Sequence, residues 1–380
     1  MITIKQKNQC NGCGACFNLC PKSAISMQED EEGFLYPIVN TKKCIECGLC
    51  VKICPIKQEN KKISDNIKAI ACKNKNEKVR AESSSGGIFT SLCELVINQK
   101  GVVFGAAYDE KLNVRHCYVE NIKECSKFRG SKYVQSIIGD SYKKVKEFLL
   151  ENRVVLFSGT PCQIAGLSSY LGKEYDNLIL IDIACHGVPS PLVFKKYLES
   201  LEKENMEKIK NMSFRYKGTG WKQYSLKINY ENRSTSEIAY NNIYMKGFLS
   251  DLILRPSCYN CKFKKPITYA DLTLADYWGV DNIHPEFDDD KGTSLVLINN
   301  VKGEKLMNEA LDNVEYINTK YEEAIKFNPS IIRASIFKEF NRRNKFFKKL
   351  KDGNVEELIY RYTKRTLFRK VIDKIKRFLN

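Results

Sequence analysis

Two cysteine runs with the same spacing stand near the start of the chain, and they constrain its fold more than any other feature. Each run holds four cysteines separated by two, two and three residues, with a proline after the fourth: Cys10, Cys13, Cys16, Cys20 and Pro21, then Cys44, Cys47, Cys50, Cys54 and Pro55. This spacing is typical of bacterial two-cluster ferredoxins, in which the fourth cysteine of each run binds the other cluster. The spacing predicts one 4Fe-4S cluster on Cys10, Cys13, Cys16 and Cys54, and a second on Cys44, Cys47, Cys50 and Cys20.

Two other classes of cysteine-rich protein explain these runs less well. A zinc ribbon uses pairs of cysteines and four ligands per ion. It does not need runs of four cysteines that end in a proline and recur with the same spacing. A disulfide framework is typical of secreted domains, and residues 1–10 lack the apolar core of a signal peptide. Between the runs, residues 23–40 predict two short strands around a Glu-Glu-Gly turn.

Length and charge set the wider limits. At 380 residues the chain is too long for a ferredoxin alone, and about two domains are expected. The net charge is +17, and residues 333–380 concentrate the excess, with 16 Lys and Arg against 5 Asp and Glu. The sequence has no uninterrupted apolar run of about 18 residues, so no transmembrane helix is predicted. Sixteen cysteines without an export signal predict a reducing compartment, the cytoplasm.

A polar, lysine-rich linker over residues 56–66 separates the predicted ferredoxin domain, residues 1–58, from a larger domain, residues 67–330. Apolar runs alternate with helical periodicity in the larger domain, which predicts a mixed α/β fold. Strands are predicted over residues 67–72, 101–107, 154–158, 178–184, 212–216, 224–230, 272–275 and 295–298. Helices are predicted over residues 87–98, 142–150, 161–171, 192–201 and 302–311.

Two further sets of residues suggest cofactor sites in the larger domain. The loop over residues 80–88 has three serines and two glycines at a helix start, which suits a phosphate or, equally, a flexible helix cap. No GxGxxG or GxxxxGK[ST] motif supports a Rossmann or P-loop site. A second set consists of cysteines at predicted strand ends and in one loop: Cys162, Cys185, Cys258 and Cys261. Spacing alone leaves open whether this set binds metal.

Several other residues have weaker interpretations. The cysteines outside these sets are not expected to be ligands: Cys72, Cys93, Cys117 and Cys125. Cys93 falls on the predicted helix that begins near Gly87, where a small buried side chain is expected. His186 adjoins Cys185, so it is a candidate to orient that ligand. Trp221 and Trp278 fit either the core or a stacked cofactor, and Asp276 is a weak site candidate.

Several segments occur in the order found in one protein family: RAESSSGGIFTSL, GSKYVQS, FSGTPCQIAGL, CHGVPSP, CYNC and ADLTLADYWGV followed by KGTSLVLIN. Over residues 67–311 the chain resembles the coenzyme F420 hydrogenase/dehydrogenase beta-subunit family. The resemblance implies a flavoprotein that binds FAD beside a 4Fe-4S cluster, the latter on Cys162, Cys185, Cys258 and Cys261. It implies FAD phosphates at Ser83, Ser84, Ser85, Gly86 and Gly87, a flavin lined by Ser131, Lys132, Tyr133 and Val134, and a flavin ring near Gly159, Thr160 and Gln163.

The predicted fold class is therefore α/β, or α+β: a flavin-binding domain with an N-terminal ferredoxin-like dicluster domain and a basic helical C-terminal tail. The resemblance implies an oxidoreductase that passes electrons between ferredoxin-type clusters and FAD, with hydride exchange to coenzyme F420 or another organic acceptor. The hydrogenase beta subunits generally lack a fused ferredoxin, so the expected partner is a free ferredoxin or another redox protein. No acid-base residue is nominated for the hydride step.

Two other functional classes stay open from the sequence. One is a non-catalytic electron-transfer subunit that serves a partner oxidoreductase, in the setting of surface-polysaccharide synthesis. The other is a basic zinc protein that binds nucleic acid, but no finger or aromatic-basic platform supports it, and no nucleic-acid partner is expected.

The last predicted region is the basic helical tail over residues 331–380. Apolar residues recur there at helical spacing between lysines and arginines: Val355, Leu358, Ile359, Tyr362, Phe368, Val371, Ile372, Ile375 and Phe378. One face of the tail is therefore apolar and the other basic. Such a helix suits packing on the chain's own domain, on a partner, or on an anionic membrane surface. The expected location is cytoplasmic, with a peripheral membrane contact as one alternative.

Overall fold

The computed structural model describes residues 1–58, 63–64, 66–337 and 339–364. The strands are β1 Ile25–Glu29, β2 Leu35–Val39, β3 Lys68–Asn74, β4 Val102–Tyr108, β5 Val114–Val119, β6 Val155–Gly159, β7 Leu178–Ile183, β8 Ile209–Tyr216, β9 Ser225–Tyr230, β10 Ser234–Ile238, β11 Leu272–Asp276, β12 Ser294–Ile298 and β13 Val314–Thr319. The α-helices are α1 Ala15–Leu19, α2 Leu49–Lys52, α3 Glu77–Glu82, α4 Ile88–Asn98, α5 Ser141–Leu150, α6 Pro161–Leu171, α7 Pro191–Asn205, α8 Ile243–Leu249, α9 Val280–Ile283, α10 Val301–Ala310, α11 Tyr321–Ala324, α12 Pro329–Ile332, α13 Phe340–Leu350 and α14 Val355–Thr363.

The predicted spacer between the cysteine runs is confirmed as a hairpin. Strands β1 and β2 pair antiparallel with Ile25 opposite Val39. One carboxylate oxygen of Asp30 closes the turn by accepting hydrogen bonds from the backbone N–H groups of Glu32 and Phe34, at 3.0 and 2.9 Å. The hairpin thereby connects the two cysteine runs within one small domain.

An eight-stranded mixed sheet forms the centre of the larger domain, in the order β13-β3-β12-β11-β7-β6-β4-β5. Strands β11, β7, β6 and β4 are parallel, and the other neighbouring pairs are antiparallel. Because two antiparallel steps separate β11 from β3, β3 runs in the same direction as the parallel block. The carboxyl ends of β3, β11, β7, β6 and β4 therefore share one edge, where ligands of such sheets are usually held.

Each strand and helix predicted for the larger domain overlaps an observed element. The fully buried runs explain this agreement: β12 and the first three residues of β6 have no exposed side chain, and such runs are strong strand signals. Strands β5, β10 and β13 and helices α3, α8, α9, α11 and α12 were not predicted. Strands β5 and β10 have several exposed positions, so their apolar signal is weak.

The described part of the predicted tail packs on the larger domain. Val355, Leu358 and Ile359 on α14 are buried in one apolar core with α7, α8, α13 and the three-stranded sheet β10-β9-β8. Of the other apolar tail residues, Tyr362 packs against this core, and Phe368, Val371, Ile372, Ile375 and Phe378 lie outside the described residues. Within the described ranges, no helix has the length and apolar character to cross a membrane.

Candidate redox site

The structure brings together the cysteines predicted for the first cluster, Cys10, Cys13, Cys16 and Cys54, called here the inner set. Burial raises the pKa of Cys16 to about 12, and the nearby thiols of Cys10 and Cys54 raise it further. Burial also raises the pKa of Cys13, and Cys10 and Cys54 act on it in the same direction. The fourth cysteine of the second run is therefore beside the first three of the first run, the crossed arrangement that the spacing predicts.

The cysteines predicted for the second cluster line one cavity at the surface: Cys20, Cys44, Cys47 and Cys50, called here the outer set. Cys47 is exposed, whereas Cys16 of the inner set is buried. Backbone N–H groups donate to sulfur in both sets, from Ala24 to Cys20 at 3.3 Å and from Gly12 to Cys10 at 3.4 Å. Such donors tune the reduction potential of iron-sulfur clusters.

The two sets of four thiols suit iron-sulfur clusters by their donor chemistry. Soft thiolate sulfur is the ligand that four-iron clusters use, and each cysteine binds a different iron. Two sets of four thiols are therefore the number of ligands that two such clusters need. Among the described residues, no group of three or more His, Cys, Asp or Glu side chains is placed to hold one ion.

The third set of cysteines meets at the shared edge of the sheet. Cys162 is the second residue of α6, directly after β6, and Cys185 follows β7. Burial raises the pKa of Cys162, and the nearby Cys261 and Cys185 raise it further. Burial raises the pKa of Cys258 to about 12, with Cys185 acting in the same direction. Four thiols from three separate segments are therefore neighbours in the fold.

Polar groups around the third set resemble those around the ferredoxin sets. The backbone N–H of Val188 donates to Cys258 sulfur at 3.4 Å. The Lys264 ammonium donates to the carbonyl of Cys185 at 2.5 Å, so a positive charge lies beside this set. His186 was a candidate to orient Cys185, but its ring lies 2.6 Å from the Asp251 carboxylate instead.

Helix α6 carries the third set towards the inner set. Thr160 caps its first turn, and the Gln163 amide oxygen accepts from the Thr160 backbone N–H at 2.9 Å. One turn after Cys162, Gly166 faces the ferredoxin domain. A β-carbon at position 166 would lie 2.9 Å from the Cys13 β-carbon and 3.1 Å from its sulfur. Since Cys162 and Gly166 lie on one helical face about 6 Å apart along the axis, the inner and third sets are close.

A buried arginine fixes this contact between the domains. Arg255 is 0% exposed and stacks on Tyr36, with the guanidinium 4.3 Å from the ring centre. It donates to the carbonyls of Cys10 and Leu35, at 2.8 and 2.9 Å, and to the Gln135 amide oxygen at 2.9 Å. Because these partners belong to both domains, Arg255 holds the inner set against the larger domain.

The serine-rich loop lies at the same edge, between α3 and α4. Its hydroxyls are partly engaged: Ser83 donates to the Val79 carbonyl and Ser85 to the Thr293 carbonyl, both at 2.7 Å. The backbone of Gly86 packs closely against strand β3, because a β-carbon at position 86 would lie 2.3 Å from the Cys72 carbonyl oxygen. Gly87 then begins the eleven-residue helix α4. The loop is therefore fixed at a helix N-terminus.

The predicted flavin-lining segment touches this loop. The backbone N–H of Ser131 donates to the Ser84 hydroxyl at 2.6 Å. The Lys132 ammonium donates to three carbonyls of residues 128–130, and burial lowers its pKa to about 8. Tyr133 stacks on Phe248 at 4.6 Å, and Val134 is buried. The structure thus brings together two segments that are about 45 residues apart in sequence. The Lys132 ammonium is already hydrogen-bonded and the Val134 side chain is buried, which favours a structural role for both.

The remaining predicted contacts lie around the start of α6. Gly159 ends β6, and a β-carbon there would lie 3.1 Å from the Gln163 amide oxygen. The hydroxyl of Thr160 lies 3.1 Å from the same oxygen and 3.2 Å from Cys162 sulfur. The Gln163 amide nitrogen donates to the Ser136 hydroxyl at 2.9 Å. Both ends of the Gln163 amide are therefore engaged, the oxygen in the helix cap and the nitrogen on Ser136.

A charged pair lies beside the serine-rich loop. Arg215 on β8 is 4% exposed and donates both terminal nitrogens to the Asp276 carboxylate, at 2.9 and 3.0 Å. Trp221 is buried, stacks on Trp278 at 4.9 Å and donates its indole N–H to Asp276 at 3.1 Å. Two buried polar atoms here have no hydrogen-bond partner among the described residues, Nε of Arg215 and Oγ1 of Thr293. Such atoms are costly unless a ligand or water satisfies them.

Comparisons with known proteins agree with this geometry. Residues 9–57 match a 4Fe-4S dicluster domain, and residues 152–325 match the C terminus of the coenzyme F420 hydrogenase/dehydrogenase beta subunit. The chain therefore joins a segment similar to a 4Fe-4S dicluster domain to a segment similar to the C terminus of the coenzyme F420 hydrogenase/dehydrogenase beta subunit.

A solved structure also resembles this chain in part. It is a chain of the xenon-derivatised F420-reducing NiFe hydrogenase complex from Methanosarcina barkeri. The match has a TM-score of 0.48 and 14% sequence identity, and it covers 70% of this chain and 91% of that chain. A comparison with curated proteins finds no match. The two matched domains identify an iron-sulfur electron-transfer protein related to the F420 hydrogenase beta subunit.

Several residues around the candidate site could not be singled out from the sequence. Arg215, Arg255 and Tyr142 were not singled out, because their importance comes from partners far away in sequence. Gly166 had a readable signal, since a glycine inside a helical pattern often marks a close backbone approach. Arg215 had a weaker one, a charged residue directly after the apolar Phe214 in a predicted strand.

A buried histidine at the same edge predicts how stability depends on pH. Burial lowers the pKa of His116 to about 4, and its ring lies 3.0 Å from the Ser158 carbonyl. Between pH 6.5 and 4 the unfolded chain binds a proton at this site that the folded chain does not, so stability falls as pH falls, by about 3 kcal/mol over the window. Urea midpoints at pH 7 and pH 5 should differ less in His116→Gln than in the wild type; an equal difference in both proteins would contradict the assignment.

Proposed function

We propose that the chain is an iron-sulfur flavoprotein oxidoreductase. Electrons from a partner redox protein enter at the outer set, pass through the inner set and a third cluster, and reach FAD. FAD exchanges hydride with coenzyme F420 or another organic acceptor. The dicluster domain and the beta-subunit domain support the redox part of this proposal.

The approach of Cys13 to α6 carries the proposal. Gly166 leaves room for Cys13 on the helix that begins at Cys162. Tyr142 fills the space beside them and donates its hydroxyl to the Gln163 carbonyl at 2.7 Å. Both Cys13 and Cys162 add to the effect of burial, which raises the pKa of Tyr142. A ferredoxin domain held for storage or scaffolding alone would not need this close approach to a third group of thiols.

The third set fits a 4Fe-4S cluster by the chemistry of its donors. Cys162, Cys185, Cys258 and Cys261 supply four soft sulfur ligands, which iron-sulfur clusters prefer. The N-terminus of α6 points its positive end at Cys162, and the Lys264 ammonium lies beside Cys185. Both favour the added negative charge of a thiolate-bound cluster.

The serine-rich loop and its neighbours fit the FAD phosphates. The start of α4 offers backbone N–H groups and the positive end of a helix dipole. Arg215 keeps one buried N–H without a partner in the described chain, beside the carbonyl of Ser84. A bound flavin would accept electrons singly and deliver them in pairs. The chain's own part is to hold the dinucleotide on this loop and to exclude water with Trp221, Trp278 and Tyr133.

The alternative is a non-catalytic electron-transfer subunit for a partner oxidoreductase. One observation favours it: the ammonium of Lys132 and the amide of Gln163, both inferred to be flavin contacts, are already engaged within the chain. A protein of this kind would contain the clusters without flavin. Measuring flavin therefore separates the two functions.

The test is the content of iron, acid-labile sulfide, zinc and flavin per chain in protein purified without oxygen. About 12 iron and one FAD are expected, the stoichiometry of three four-iron clusters. Cys258→Ser should lose about 4 iron and keep the ferredoxin clusters, whereas the matched control Cys117→Ser should lose none. Reduction of added coenzyme F420 by the loaded protein alone would support the catalytic function.

Two results would contradict the proposal. About 8 iron without flavin after reconstitution would leave only the dicluster domain and would favour the alternative. Equal iron loss in Cys258→Ser and Cys117→Ser would remove the third cluster from the third set.

A further inference from the structure

We propose that the surface around the outer set is the docking face for a small acidic electron-transfer protein whose redox centre lies near its own surface. The proposal identifies the partner of the proposed function. It rests on the dicluster domain alone, and neither FAD nor the third cluster is needed for it.

The position of the outer set makes it the entry point. Its thiols line a cavity at the surface and Cys47 is exposed. The inner set is covered instead, by Arg255 on one side and by α6 with Tyr142 on the other. An external protein can therefore come close to the outer cluster but not to the inner one.

Apolar side chains surround this entry point. Ile45 is 57% exposed, Met1 49% and Leu49 37%, and all three line the cavity of the outer set. Exposed large apolar side chains that cluster on one patch mark interaction sites. A short-lived electron-transfer complex needs a patch of this modest size, because its interface is at the small end of protein interfaces.

The charge around the patch selects the partner. Four exposed lysines lie on the segments that hold the outer set: Lys22, Lys42, Lys43 and Lys52. No ion pair joins any of them to a carboxylate within the described parts of the chain, and Glu46 is the acidic residue on the cavity wall. Unpaired lysines around an apolar centre complement an acidic protein and speed its association.

The test uses a reduced, acidic plant-type 2Fe-2S ferredoxin as the probe. It is mixed without oxygen with the oxidised full chain, and bleaching of the chain's clusters is followed by stopped flow. The second-order rate constant should fall as salt rises. In Lys22→Glu/Lys42→Glu/Lys43→Glu it should fall by about 10-fold or more at low salt and lose that salt dependence.

A matched control separates the face from overall charge. Lys203, Lys210 and Lys305 are exposed lysines of the larger domain, so Lys203→Glu/Lys210→Glu/Lys305→Glu makes the same charge change elsewhere. It should keep the rate within about twofold. Both variants should retain wild-type iron and bleach fully with photoreduced deazaflavin, a reductant that needs no docking face.

Zero-length carbodiimide cross-linking of the wild-type chain to the probe gives a second measurement that needs no variant. Cross-links should map to Lys22, Lys42, Lys43 or Lys52. The proposal is wrong if cross-links map elsewhere, if both triple variants slow equally, or if a basic cytochrome reacts faster than the acidic ferredoxin. It is also wrong if the wild type forms a dimer that the first variant abolishes, since a second copy would then cover the face. Because cluster bleaching is read directly, a chain without FAD would refute the proposed function and leave this test intact.

Discussion

Gly166→Ala should destabilise the protein by about 1–3 kcal/mol, although alanine is the better helix former. In an open helix the same change would add about 1 kcal/mol of stability. The sign reverses here because the new methyl would lie 2.9 Å from both the Cys13 β-carbon and the Tyr142 hydroxyl oxygen. Neither can move freely: Cys13 is on the cluster loop, and Tyr142 is fully buried.

Urea midpoints of the protein with its clusters reconstituted, measured without oxygen, show whether Gly166→Ala stabilises or destabilises the fold. A larger substitution, Gly166→Val, should also push the dicluster domain away from α6 and slow electron transfer from the inner cluster into the larger domain. Ser168→Ala is the control, because Ser168 lies on the same helix and is only partly buried. A higher midpoint for Gly166→Ala would mean that the ferredoxin domain does not press on α6.

Much of this architecture follows from the order of residues along the chain. The ferredoxin runs are local: all six intervals within the two runs are two or three residues long, so spacing alone identifies the cluster type. The strands and helices around Cys162 and Cys185 are also local, because buried apolar runs and helical periodicity give strong signals. Their shared edge then follows from the direction of parallel strands.

The interface between the domains could not be predicted in the same way. Arg255 meets the carbonyl of Cys10 across 245 residues, and Arg343 meets Glu32 across 311. Each looks like an ordinary charged residue in sequence, since arginine is most often exposed. The partner that makes burial tolerable is supplied only by the fold. The third set is similar, because three segments must meet before its four cysteines become neighbours.

These contacts together suggest why the ferredoxin domain is fused to the beta-subunit domain. Arg255 donates to the carbonyl of Cys10 in the inner set, and the Ser190 hydroxyl donates to the carbonyl of Glu32 at 2.5 Å. Asn18 donates to the carbonyl of Gly139 at 2.9 Å. A domain held at several points keeps a constant distance between its cysteine sets and α6. In the proposed function, electron entry at the outer set therefore need not wait for a domain motion.

Arg343→Leu should destabilise the protein by about 3–5 kcal/mol, because it leaves a buried carboxylate without its main partner. Arg343 on α13 is 2% exposed and donates both terminal nitrogens to Glu32, at 2.9 and 2.5 Å. It also donates to the Leu254 carbonyl at 2.8 Å. The Lys7 ammonium lies 3.5 Å from the same carboxylate, so the loss should fall towards the lower end of the range.

A double-mutant cycle tests whether this pair joins the C-terminal helices to the ferredoxin domain. Glu32→Leu/Arg343→Leu should recover much of the stability lost in Arg343→Leu, since no unpaired charge is then buried. Arg342→Leu is the matched control: its partly exposed guanidinium meets Glu339 and the exposed carbonyls of Arg361 and Lys364. A surface ion pair is worth about 0–1 kcal/mol. Equal urea midpoints for Arg343→Leu and Arg342→Leu would mean that α13 is not anchored through Glu32. The same conclusion would follow if the double variant lost the sum of the stabilities lost in Glu32→Leu and in Arg343→Leu. The expected order of urea midpoints, with Arg343→Leu lowest, would show that helix α13 holds the ferredoxin domain in place.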